Sequence, residues 1–144
     1  MSIFSSKGTM KIHIPNTYFI VGQPIEGTII LELKEPIKGN EVSASLISKE
    51  QRTNINGKRS THEHIWETLT LDNSKEYPAN QKLQYSFKFK SPFPANPELP
   101  HPIKILSYEV NFSKENNDFR VEAKLDIPLG IDISIKQEIT IALG

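Results

Sequence analysis

Hydrophobic and polar residues alternate with a period of two along most of this chain, the pattern of strands with one buried and one solvated face. Leu83, Tyr85, Phe87 and Phe89 alternate with Lys82, Gln84, Ser86, Lys88 and Lys90. Phe119, Val121, Ala123 and Leu125 do the same against Arg120, Glu122, Lys124 and Asp126. Ile131, Ile133, Ile135, Ile139 and Ile141 alternate with Asp132, Ser134, Lys136, Glu138 and Thr140, Gln137 being the lapse on the apolar face. Shorter runs repeat the theme at Met10, Ile12 and Ile14, at Ile29, Leu31 and Leu33, and at Tyr108, Val110 and Phe112.

Turn-forming clusters separate the runs at Pro15-Asn16, Gly22 to Pro24, Pro36 to Asn40, Asn54 to Gly57, Asp72 to Ser74, Glu115 to Asp118 and Pro128 to Gly130. No window holds capped apolar spacing of helical period. The pattern predicts eight or nine strands, near 9–14, 18–21, 26–34, 41–50, 62–71, 81–90, 104–113, 119–126 and 131–142. Antiparallel strands of this kind close as two stacked sheets, a β-sandwich, with a barrel as the other closure. Residues 91–102 carry five prolines and must leave the sheet, because proline cannot donate to a ladder. They read as a stiff crossover between sheets; Pro94/Pro97 and Pro97/Pro100 also fit a PxxP ligand.

Composition narrows the function classes. At 144 residues and 37% hydrophobic content the chain is expected to form a single domain over 1–144. Seventeen basic residues cancel seventeen acidic ones, which argues against a nucleic-acid surface built on bulk charge. There is no cysteine, which excludes disulfides, thiolate metal sites and cysteine nucleophiles. No apolar run is long enough for a membrane helix, and the first ten residues lack the pattern of a signal peptide, so a cytoplasmic location is expected.

Candidate chemistry is sparse. His62 and His64 share a strand face and could bind zinc or copper if a neighbouring strand supplied a third ligand, but solvent-exposed histidines on a sheet face are the favoured reading. Trp66 has the same parity and would complete a row like those that stack sugars or bases, but a half-buried tryptophan anchoring the sheet is the favoured reading. The facing of that strand is ambiguous, because the opposite parity carries Ile65, Leu69 and Leu71 together with Glu63 and Glu67. Paired carboxylates such as Glu32/Glu35 lack an apolar pocket to separate their pKa values, and no nucleophile elbow or phosphate-cradling loop occurs. The expectation is a protein that is not an enzyme and needs no cofactor. Lys49, Arg52, Lys58 and Arg59 cluster in and near a loop expected over 50–61. Together with the stripe Lys82, Lys88 and Lys90 they are the candidate partner-binding residues, and the loop could hold a phosphate.

The stretch Tyr18 to Val42, with Gly22 in a turn, Gly27, and the alternating Ile29, Leu31 and Leu33, resembles the opening of an arrestin N-domain. Tyr85 to Phe89, then the proline-rich crossing, then Ile105 to Phe112 is similar to a later passage of that domain. Phe119 to Leu129, ending in Lys136 to Ile141, is similar to its closing strands, particularly in the alpha-arrestin branch. The resemblance covers about residues 9–142. It implies an immunoglobulin-like antiparallel β-sandwich that binds other proteins as an adaptor in trafficking or regulation. The family mostly pairs two such domains; a chain of this length supplies one, so the polar core and clasp between domains are not expected. A PPxY motif and an adjacent lysine pair in the first strand are missing, so ubiquitin-ligase recruitment and phosphoreceptor sensing do not carry over. Self-pairing through sheet edges would replace the second domain, and a ligand-binding sandwich using Trp66, His62 and His64 is the alternative.

Overall fold

The alternating runs become strands in the structure, a computed structural model that describes residues 2–4, 7–53, 55–92, 103–105, 108–110, 115–128 and 130–142, with backbone alone at 2–4, 50–53, 59, 103–105, 108–110 and 115–118. In chain order the strands are β1 (Ser2–Phe4), β2 (Gly8–His13), β3 (Tyr18–Ile20), β4 (Ile25–Leu33), β5 (Ile37–Lys38), β6 (Val42–Thr53), β7 (Arg59–Asp72), β8 (Glu76–Tyr77), β9 (Lys82–Phe89), β10 (Ile103–Ile105), β11 (Tyr108–Val110), β12 (Glu115–Leu125) and β13 (Ile133–Ala142). A four-stranded sheet runs β1-β2-β4-β9 and a five-stranded sheet runs β3-β13-β12-β6-β7. Every pairing in these two sheets is antiparallel except β3 with β13. Small ribbons, β5-β8 and β10-β11, complete the described strands.

The apolar parity of each strand meets in one core. Met10, Ile29, Leu31 and Phe89 from the four-stranded sheet pack with Ala44, Leu46, Phe119, Val121 and Leu125 from the other, all at most 1% exposed. Each of these side chains larger than that of Ala44 contributes about 1.5–3 kcal/mol by leaving water. Gly27 makes room within the four-stranded sheet for its neighbours on β9 and β2: a Cβ there would stand 2.5 Å from the Phe87 ring and 2.7 Å from the His13 carbonyl oxygen.

Four expectations change. β6 and β7 stay paired out to Thr53 opposite Arg59, so the loop expected over 50–61 shrinks to the hairpin tip at 54–58. That ribbon has no apolar face, so alternation could not reveal it. The run expected at 104–113 is two strands, β10 and β11, paired antiparallel with each other. The last strand starts at Ile133, because the Asp132 carboxylate accepts the Ile127 N–H at 2.8 Å and holds the preceding turn, leaving Ile131 85% exposed. Strands β1, β5 and β8, of two or three residues, lie outside the runs that alternation marked. The proline-rich crossing lies outside the described residues from 93 to 102.

Candidate interaction surface

Among the described residues β7 is an edge strand of the five-stranded sheet with no strand on its outer side, and at 14 residues it is the longest strand described. Its facing, ambiguous in sequence, is set by two register shifts. Ile47 pairs with Ile65 but Leu46 with Glu67, so Trp66 is an extra residue; Val42 pairs with Asp72 but Ser43 with Thr70, so Leu71 is another. Such bulges reset the phase of a strand. Ile65 therefore points outward, 59% exposed, while Leu69 and Leu71 pack against the core.

The same bulge decides the fate of the His62, His64 and Trp66 row. The Trp66 indole N–H donates to Ser48 Oγ at 2.8 Å, and its ring lies 6.1 Å from that of core residue Phe119. His64 meets the indole edge-on at 4.5 Å, while the exposed His62 lies 2.9 Å from Ser60 Oγ. Trp66 thus anchors the sheet from its inner side. Among the described residues no group of three histidines or carboxylates is arranged to hold a metal ion.

The outer face of this sheet has an uncommon centre. Cross-strand register places Ile65, Ile47, Arg120 and Glu138 in one row over β7, β6, β12 and β13. Ile47 is 6% exposed although it faces away from the core, and Arg120 is 5% exposed. Backbone of β11 lies against β6. Arg120 Nη2 sits 2.8 Å from Glu63 Oε1 and 3.5 Å from Glu122 Oε2, while its buried Nε and Nη1 have no acceptor among the described residues. Two carboxylates hold one end of a guanidinium whose other donors stay unsatisfied, a costly arrangement for a buried cation.

The candidate basic residues fall on opposite faces of the sandwich. Lys49 is exposed on the outer face of the five-stranded sheet, in register with Glu63, and Lys58 is exposed in the hairpin tip. Arg52 and Arg59 lie in the polar ribbon below that tip, with side chains outside the description. Lys82, Lys88 and Lys90 project from the other sheet, where Lys82 stands opposite Glu32 and Lys88 pairs with Glu26 at 3.3 Å. The stripe is therefore alternately charged. Sequence reasoning missed Arg120, Ile47 and Ile65; the signal was two isoleucines on the polar parity of adjacent strands.

At the far end of β7 the two sheets are tied by polar contacts. Tyr85 OH donates to Asp72 Oδ2 at 2.7 Å, and Tyr77 OH donates to the Asp72 carbonyl at 3.4 Å. Asp72 Oδ1 accepts the Ser74 N–H at 2.9 Å and also the Ser74 hydroxyl. Burial acts to raise the Asp72 pKa, but hydrogen bonds from Ser74, Tyr85 and the Asn73 backbone outweigh it and hold the carboxyl below its ordinary value. Burial, then the hydrogen bond to Asp72 and its charge, push the Tyr85 phenol well above its own.

Two sheets, an all-β core and no helix among the described residues define an arrestin-like β-sandwich. The solved structure of Spo0M, a sporulation control protein from Bacillus subtilis, is similar over 96% of this chain with a TM-score of 0.70 and 16% identity. This chain spans about half of that one, 50% of its length. An alkylpurine DNA glycosylase, AlkC from Pseudomonas fluorescens, overlaps 92% of this chain and 30% of its own at 12% identity, with a TM-score of 0.44, too loose to define a shared fold. No family model and no curated protein matches the sequence. Among the described residues no helix is long and apolar enough to cross a membrane.

Proposed function

We propose that this chain is a non-catalytic protein-interaction module of the arrestin-like kind, acting as an adaptor or regulator in the cytoplasm. The observation that carries this reading is the open edge of β7, whose 14 residues lead from the hairpin tip past the exposed Ile65 to the tie at Asp72. An unpaired edge offers backbone donors and acceptors to an extended segment of a partner, and alternate side chains supply selectivity. Likeness in fold to Spo0M, described as a sporulation control protein, supports a regulatory rather than a chemical role. The same edge would serve a second copy of the chain.

The test compares proteins retained from native cytosol by the wild-type chain with those retained by Ile65→Lys and by a charge-reversed tip, Arg52→Glu with Lys58→Glu and Arg59→Glu. Light scattering on each purified variant reports self-association, and a thermal melt checks folding. Loss of the same partners, or of a dimer, in folded variants supports the reading. An identical retained set and an unchanged oligomeric state would sink it.

A further inference from the structure

We propose that Asn56-Gly57, at the tip of the β6–β7 hairpin, is a site of spontaneous conversion of asparagine to aspartate and isoaspartate, which adds negative charge to a basic tip. It is the only Asn-Gly pair in the sequence, and both residues are exposed in a turn between two long strands. Gly57 has φ 76°, and nothing lies within 4 Å of where its Cβ would be, so the residue after Asn56 is a glycine in an open turn, with no side chain to hinder attack by its backbone nitrogen. That nitrogen attacks the Asn56 side-chain carbonyl carbon, forming an N–C bond as the C–NH2 bond breaks and ammonia leaves with the proton. Water then opens the succinimide at either carbonyl, and no oxidant or co-reactant is needed.

Every other described asparagine is followed by a residue with a side chain, which hinders attack by the following nitrogen. At Asn73 the attacking nitrogen would be that of Ser74, which donates to Asp72 Oδ1 at 2.9 Å. The Asn40 amide donates to Asp126 Oδ2 at 3.0 Å, in a backbone pinned by its own N–H to the Asp126 carbonyl. The consequence at position 56 is electrostatic and geometric. A carboxylate appears two residues before Lys58 and shifts the balanced chain by one negative charge, and the isoaspartate form adds a backbone methylene inside the turn.

The experiment incubates the full chain at neutral and mildly alkaline pH and follows the hairpin peptide by mass spectrometry after digestion. A synthetic peptide of the same sequence sets the unrestrained rate. Residue 56 should gain the mass that separates an acid from its amide, faster at the higher pH and faster than any other asparagine. Isoaspartyl methyltransferase should label the product, and Asn56→Gln should abolish the gain. An amide that persists at residue 56 while the free peptide converts, or conversion at Asn73 that outruns it, would overturn the proposal.

Discussion

Tyr85 and Asp72 join the edge strand of one sheet to the edge strand of the other, phenol to carboxylate at 2.7 Å, from the end of β7 to the middle of β9. The bond links the two sheets at one end of the β7 edge, while the hairpin end of β7 lies away from it.

Removing the phenol oxygen leaves the carboxylate without its cross-sheet donor while the ring still packs on the core. A hydrogen bond to a charged group contributes about 1.5–3 kcal/mol, and the half-buried setting of this one favours the lower end. Tyr85→Phe should therefore destabilise the chain by about 1.5 kcal/mol, read as a lower urea midpoint at unchanged slope. An unchanged midpoint would show that the tie contributes nothing.

Asp72 and Tyr85 also bound the pH range of full stability. A carboxyl held below its ordinary 3.8 in the folded state contributes stability that is complete above that value and lost as pH falls through the lower folded pKa. A phenol held above its ordinary 10.0 contributes stability that is complete below that value and declines as pH rises past it. The gap in urea midpoint between wild type and Asp72→Asn should be constant near neutrality and close in acid, whereas the gap for Tyr85→Phe should narrow at both extremes. A gap that widens in acid would contradict the sign.

Arg120 separates two kinds of substitution. Arg120→Ala leaves a cavity beside Ile47 and strips Glu63 and Glu122 of their cation, which should cost about 3 kcal/mol. Arg120→Met keeps the volume and removes two unsatisfied buried donors, so it should be at least as stable as wild type. Thermal melts of both variants decide this. Equal losses in the two would mean that the charge itself, rather than the filled volume, holds β6 and β12 at this row.

The core was legible because its strands keep a constant phase: Phe119, Val121, Ala123 and Leu125 were apolar by alternation and are all at most 1% exposed. β7 was not legible, since the extra residues Trp66 and Leu71 switch its phase twice and only the partner strand reveals where. Arg120 read as solvated because it sits on the polar parity; its burial depends on long-range contacts, such as that to Glu63 on β7, that no local window contains. Charge compensation of the lysine stripe was hidden for the same reason, because Glu26 and Glu32 reach it only through the β4–β9 register.

The turn that carries the chain from Asp72 into β8 rests on a strained residue. Lys75 has φ 68°, a left-handed conformation that a side chain with a Cβ adopts at a cost of about 1–2 kcal/mol. Its carbonyl nevertheless accepts the Gly39 N–H at 2.9 Å, which fixes β5 against β8 beneath the exposed Lys38 and Glu76. Because that bond is made by backbone, Lys75→Gly keeps it and relieves the strain, less the entropy glycine brings to the unfolded chain. The variant should gain about 0.5–1 kcal/mol in chemical denaturation. Asn80, at φ 59°, occupies the same region with a side chain that tolerates it, so Asn80→Gly should gain less. If Lys75→Gly lost stability instead, the lysine side chain rather than the backbone would be what orders this crossing between the sheets.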